Sequence, residues 1–165
     1  MSGPDLPRVA EAFNEAGARY AVIGGFAVVA HQYVRATEDV DLLIPDGAED
    51  DARVIEALGR LEARTREGAP VALADLVGRE HLRVVSDAGL IDLLRAGEPP
   101  LDFETVDASA IEAAVDGVTI RVCGLASLVA FKRLAGRARD HLDLDELAAR
   151  HGGTLPELDV PGLDR

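Results

Sequence analysis

The 165-residue chain contains a single cysteine, Cys123, and a single lysine, Lys132, and it has no apolar run near 20 residues. One cysteine cannot form an internal disulfide, and the residue reads as a small buried hydrophobe. Without a long apolar run no segment can span a bilayer as a helix. The opening MSGPDLPR lacks a basic start followed by an apolar core, so no secretory leader is expected and the cytoplasm is the expected compartment. Positive charge is scarce too. Thirty acidic residues against 17 basic ones give a net charge of −13, which excludes broad non-specific attraction to nucleic acid while leaving room for a local basic patch.

What is present points to a folded protein. With 48% apolar and 28% charged residues the composition is that of a globular domain. A chain of this length buries about 68–70% of its unfolded surface, enough for one core. A single domain over 1–165 is expected, with a main body at about 5–122, helices at about 124–151 and a loose tail at 155–165.

The most informative stretch is Tyr20 to Ile44, YAVIGGFAVVAHQYVRATEDVDLLI. An apolar strand enters a Gly24-Gly25 turn, a short helix follows over Phe26 to Tyr33, and Arg35-Ala-Thr37-Glu-Asp39-Val-Asp41 leads into a second strand. Residues two apart on a strand share a face, so Asp39 and Asp41 point the same way. At roughly 7 Å and an effective dielectric of about 20 they repel by about 2 kcal/mol, which calls for exposure to water or a cation between them. Mg²⁺ suits that position, because it uses one or two carboxylates together with substrate phosphates. A glycine turn lets the backbone approach a phosphate that a side chain would keep away.

The combination GG, eleven residues, TEDVD resembles the DNA polymerase β-like nucleotidyltransferase superfamily, and more narrowly its small bacterial members related to abortive-infection toxins. The resemblance implies an α/β (α+β) fold with a central mixed sheet, flanking helices and a short C-terminal helical part. It implies that Arg35 and Thr37 help position the nucleotide or the carboxylates, and that a third carboxylate on a neighbouring strand completes the metal site. Asp92, inside the strand IDLL, is the candidate; a solvent-facing edge position is the alternative.

The remaining elements follow from periodicity. A helix with Leu6, Val9, Ala10, Phe13 and Ala16 on one face stops at Gly17. Residues 49–63 form an amphipathic crossover helix carrying Val54, Ile55, Leu58 and Leu61. The segment 64–78 is ambiguous, with a helical turn at Leu73 to Val77; Arg60, Arg64 and Arg66 form either a basic edge or a solvated face. His81 to Ser86 and Leu90 to Leu94 flank a three-residue connection, Asp87-Ala88-Gly89. Phe103 to Val106 lies against the core. Asp116-Gly117 between Ile111–Val115 and Val118–Val122 is a type I′ hairpin signal. A helix from Leu125 breaks at Gly136, and a last one runs through Leu144 and Leu147 to Arg150. His31 reads as a packing residue.

Lys132, Arg133, Arg137 and Arg139 concentrate positive charge beside Asp140, Asp143 and Asp145, a pattern that helical charge pairing accounts for. K, a short spacer and G-R-x-[KR]-D-x-x-D also resembles the C-terminal signature of the same nucleotidyltransferases. That resemblance carries nucleotide binding to Gly24, Gly25, Arg35, Thr37, Lys132, Arg137, Arg139, Asp140 and Asp143, with Asp39, Asp41 and Asp92 as catalytic metal ligands. Arg139 stands where lysine is usual, and Phe26 where a small hydroxyl residue is common. The implied activity is transfer of a nucleoside monophosphate from a nucleoside triphosphate, with two Mg²⁺ ions. The acceptor is a hydroxyl on RNA, a protein or a small molecule, and a cognate antitoxin is a possible partner. The alternatives are a nucleotide-binding or regulatory module without turnover, and an interaction protein that uses its acidic surface.

Overall fold

The computed structural model describes residues 3–95 and 97–163, so Met1 and Ser2 of the opening octapeptide, and Asp164 and Arg165 of the tail, lie outside the described residues. In chain order the elements are α1 (Leu6–Ala16), β1 (Ala21–Ile23), α2 (Gly24–Ala30), β2 (Asp39–Leu43), α3 (Ala48–Arg60), α4 (Leu73–Leu76), β3 (His81–Ser86), β4 (Gly89–Leu94), α5 (Phe103–Ala108), β5 (Ile111–Val115), β6 (Val118–Val122), α6 (Leu125–Ala135) and α7 (Ala138–Arg150). The six strands form one mixed sheet in the order β3-β4-β2-β1-β6-β5. Pairing is antiparallel for β1–β2, β3–β4 and β5–β6, and parallel for β2–β4 and β1–β6. The fold is α+β.

The apolar stripe of α1 explains its seat. Val9, Ala10 and Phe13 are buried, Asp5 caps the helix by accepting from Arg8 N–H, and Gly17 ends it in the left-handed region. Phe13 and Tyr20 meet edge to face at 5.7 Å. The central strands β1, β2 and β4 supply Val22, Val40, Leu42, Ile91 and Leu93, all essentially inaccessible and, by their register, all on one face of the sheet, opposite the face that carries Asp39, Asp41 and Asp92.

Four boundaries differ from the sequence reading. The glycine turn is itself the first turn of α2, which starts at Gly24 and stops at Ala30, before Gln32 adopts φ +84°. The crossover helix α3 ends at Arg60, where Leu61 caps it and Glu62 takes a positive φ. The β3–β4 connection holds two residues, since Ser86 pairs with Gly89. Ala88 is buried there, its carbonyl accepts from Asp5 N–H at 2.9 Å, and the Ser86 hydroxyl bridges the turn, so the amino-terminal segment pins that register. The stretch after Leu155, expected to be loose, has no regular secondary structure through Leu163 but lays Leu155, Leu158 and Val160 on the core and pairs Glu157 with Arg133 at 2.7 Å.

The ambiguous segment 64–78 contains α4 and a bridge from Arg64 to Val85. The arginines at and before its start stay at the surface: Arg60 at the end of α3 pairs with Glu15 and Glu56, and Arg64 donates to the Gly68 carbonyl. Cys123 is fully buried, and burial pushes its thiol up to about 12, which leaves it inert. Among the described residues no helix is long and apolar enough to cross a membrane.

Candidate active site

Parallel pairing of β2 with β4 sets Asp41 directly beside Asp92, and the alternation along β2 adds Asp39 on the same side. One carboxylate oxygen from each of the three lies within 4.8 Å of the others. At that distance each pair of charges repels by about 3 kcal/mol at an effective dielectric of about 20.

The loop and glycines around them are fitted to the carboxylates. Ile23 at the end of β1 pairs with Asp41, and Gly24 follows with φ +67°. A Cβ on Gly24 would overlap the Asp41 carboxylate, with Cγ only 2.8 Å away. A Cβ on Gly25 would stand 2.8 Å from Thr37 Oγ1 and 3.2 Å from an Arg35 nitrogen. Both positions are therefore restricted to glycine by neighbouring site residues, independently of any ligand. Thr37 in turn donates to the Asp39 carbonyl at 3.0 Å, holding the approach to β2.

The second wall comes from α6 and α7. Lys132 is almost fully buried and contacts Asp140 at 3.1 Å and Asp143 at 2.9 Å. Arg137 caps α7 through Asp140, and Arg35 reaches across from the α2–β2 loop to grip both oxygens of Asp143 at 2.8 and 2.9 Å. Arg139 donates to the Ala36 carbonyl at 3.4 Å, is exposed, and makes no ion pair among the described residues. Two further contacts dock α7: His151 Nε2 donates to the His31 carbonyl at 2.8 Å, and Arg150 lies 5.0 Å over the Tyr33 ring. His31 packs inside, its Nε2 bonded to the Cys123 carbonyl.

Between the two walls lies a cavity of about 630 Å³, a size suited to a small-molecule ligand. Every residue that the sequence reading assigned to nucleotide or metal binding lines it except Asp143, which sits behind Arg35 and Lys132 as their anchor. Phe26 packs against the core.

Two lining residues that contact these carboxylates, Arg83 and His81, were not among the site residues read from the sequence. Arg83 on β3 donates twice to Asp92, at 2.9 and 2.8 Å, and once to Asp39 at 2.7 Å; His81 Nε2 contacts Asp92 at 3.0 Å. These contacts divide the carboxylates. Burial works to raise Asp92, but the hydrogen bonds from Arg83 and His81 outweigh it and bring the group down to about 2. Asp41 has no ion pair among the described residues; burial, then the charges of Asp39 and Asp92, push it up to about 7. Burial and the Asp92 charge raise Asp39 as well.

Hard oxygen donors on three converging carboxylates, one of them short of a cation, fit a divalent ion such as Mg²⁺. The shifts fix the sign of a pH effect. A folded-state pKa above the unfolded one means the native chain holds a proton that the unfolded chain has lost. Asp41 therefore withdraws stability as pH rises from about 4 to about 7. Asp92, held low, adds stability that disappears only as pH falls toward about 2. Since the metal needs ionised ligands, 10 mM Mg²⁺ is expected to raise the melting temperature more at pH 8 than at pH 5, as read by thermal denaturation against a chelator control. An equal rise at both pH values contradicts a metal site at Asp41.

No protein-family model matches the chain, and no curated protein matches it. Solved structures do. ANT(2'')-Ia in complex with adenylyl-2''-tobramycin is 15% identical, over 88% of this chain and 86% of that one, with a TM-score of 0.59. The lincosamide antibiotic adenylyltransferase LnuA, lincomycin-bound, is 13% identical over 90% and 99%, with a TM-score of 0.62. An antigenic nucleotidyltransferase-like protein from Paracoccidioides brasiliensis is 16% identical over 92% and 75%, with a TM-score of 0.60. Similarity at this level carries architecture, and the architecture shared by this chain is the nucleotidyltransferase fold.

Proposed function

We propose that the chain is an Mg²⁺-dependent nucleotidyltransferase that moves a nucleoside monophosphate from a nucleoside triphosphate, ATP foremost, to a hydroxyl of a small molecule. The observation that carries this reading is the cavity itself, with three carboxylates on its sheet floor and Lys132, Arg137 and Arg139 on its helical wall. A triphosphate needs both, a cationic side for its oxygens and a ligand set for the ion that accompanies it. Asp39 and Asp41 would hold that ion, which when bound offsets negative charge on the phosphates.

The chain's own residues account for the rest. Arg139, without an acidic partner among the described residues, and Arg137, largely exposed beyond its bond to Asp140, are the cations with donors to spare for phosphate oxygens. Lys132 and Arg35, locked to Asp143, fix the distance between wall and floor. In the reaction the acceptor oxygen bonds to the α-phosphorus, the bond to pyrophosphate breaks, and the hydroxyl proton leaves to solvent water in the open cavity. Asp92 stays ionised and, with both oxygens held by Arg83 and His81, positions the Arg83 guanidinium beside the reacting groups. Positioning and charge carry most of the rate in transfers of this kind.

A small-molecule acceptor is favoured by a bounded cavity in a chain of net charge −13, which repels an RNA backbone. The similar structures bound to lincomycin and to adenylyl-2''-tobramycin support the same class. Incubation with α-labelled nucleoside triphosphates, Mg²⁺ and extracts separated into small-molecule, RNA and protein fractions tests it. Label is expected in the small-molecule fraction. Label on transfer RNA or protein would instead support a toxin-type enzyme of the abortive-infection kind, for which a cognate antitoxin is then to be sought. Nucleotide binding without label would support a regulatory module, a reading favoured by the arginine lying across Asp39 and Asp92.

A further inference from the structure

Two-metal transfer sites place their ions about 3.5–4 Å apart, bridged by shared carboxylates. Here the bridge between Asp39 and Asp92 is already made by a side chain. Arg83 Nη2 lies 2.7 Å from Asp39 Oδ2 and 2.8 Å from Asp92 Oδ2, so one nitrogen joins carboxylates of two adjacent strands. Arg83 Nε and His81 Nε2 then both reach Asp92 Oδ1, at 2.9 and 3.0 Å, and both oxygens of Asp92 are taken by donors.

We propose that Arg83 is a built-in second cation, so that the cluster binds one divalent ion, at Asp39 and Asp41, with the Arg83 guanidinium standing where a second ion would otherwise sit between Asp39 and Asp92. This inference rests on the nucleotidyltransferase reading. The arrangement is fixed by the backbone, because Arg83 is directly opposite Asp92 in the antiparallel β3–β4 register while Asp41 flanks Asp92 on the other side. Asp41, the carboxylate that Arg83 does not contact, is also the one left without an ion pair among the described residues. One divalent ion together with one guanidinium neutralises three carboxylates. A guanidinium keeps its charge at every accessible pH and makes no octahedral demand. Its Nη1 makes no hydrogen bond among the described residues and is left for an oxygen of the α-phosphate or of the acceptor.

Counting ions tests this without any turnover. Crystals of the full chain would be soaked in MnCl₂ with an equimolar mixture of the four α,β-methylene nucleoside triphosphates, and anomalous peaks located. Mn²⁺ shares the oxygen preference and octahedral geometry of Mg²⁺. The parent chain is expected to show one peak, between Asp39 and Asp41, with Arg83 still on Asp92. Arg83→Ala is expected to gain a second peak between Asp39 and Asp92. Two peaks in the parent, or a single peak that persists in Arg83→Ala, overturn the inference and leave the transferase reading standing. No peak at all removes both. Should Arg83→Ala fail to fold, the number and position of peaks in the parent decide the matter alone.

Discussion

Asp41→Asn is expected to stop nucleotide transfer while making the metal-free protein more stable. The two effects share one cause. The Asp41 carboxylate is largely buried, beside Asp39 and Asp92 and out of reach of Arg83, and its pKa is driven up to about 7. Above pH 7 the native state must hold that charge against its neighbours, whereas the amide of asparagine carries none. Relief on the order of 2 kcal/mol follows from a shift of this size after allowance for solvent access. The same charge is what a divalent ion needs, and loss of a charge-stabilising group in a transfer site costs about 10²–10³ in rate. Thermal denaturation in chelator at pH 8, beside single-turnover transfer in Mg²⁺, measures both. A variant less stable than the parent would mean that Asp41 has a favourable partner. A variant that still transfers at the parental rate would remove it from the site.

Lys132→Met is expected to cost about 3 kcal/mol of stability, at the low end of what removing one partner from a buried ion pair costs. Lys132 touches Asp140 and Asp143, and both carboxylates are essentially inaccessible. Methionine keeps the length of the side chain and leaves two buried charges with one cation each, Arg137 for Asp140 and Arg35 for Asp143. Burial tends to raise Asp140, while Arg137 and then Lys132 outweigh it and hold it low, so removing the lysine weakens that hold. Urea denaturation of variant and parent at pH 7 gives the difference. A change below 0.5 kcal/mol, the usual size for a surface substitution, would show that Lys132 acts on a ligand alone.

The sheet floor was legible because its signals are local. The glycine turn, the DVD alternation and an aspartate inside an apolar strand each follow from period two and turn chemistry. The Asp116-Gly117 hairpin was equally plain, and both residues take the positive φ that a type I′ turn requires. Arg83 was hidden by one residue of register. With a three-residue connection Ser86 would pair with Leu90 and Arg83 would oppose Leu93. The observed pairing of Ser86 with Gly89 puts Arg83 opposite Asp92 instead, and a slip of one residue exchanges the faces of a strand. What decides it is the contact of Asp5 with Ala88, more than eighty positions apart and invisible to local pattern. The burial of Lys132 was obscured for a related reason. Its spacing to Asp140 reads as pairing on adjacent turns, whereas Gly136 in the left-handed region folds α7 back on α6 and draws Arg35 over the pair.

Lys132 is the only side-chain amine in the chain, and it lies almost fully buried where α6 and α7 meet at the cavity wall. Acylating reagents that search a protein for such amines meet one that is held by two carboxylates and nearly covered while α6 and α7 remain docked. The lysine thereby becomes an intrinsic clock for the parting of those helices. Its rate of modification reports the opening of the cationic wall, with no introduced label and no competing amine on any other side chain.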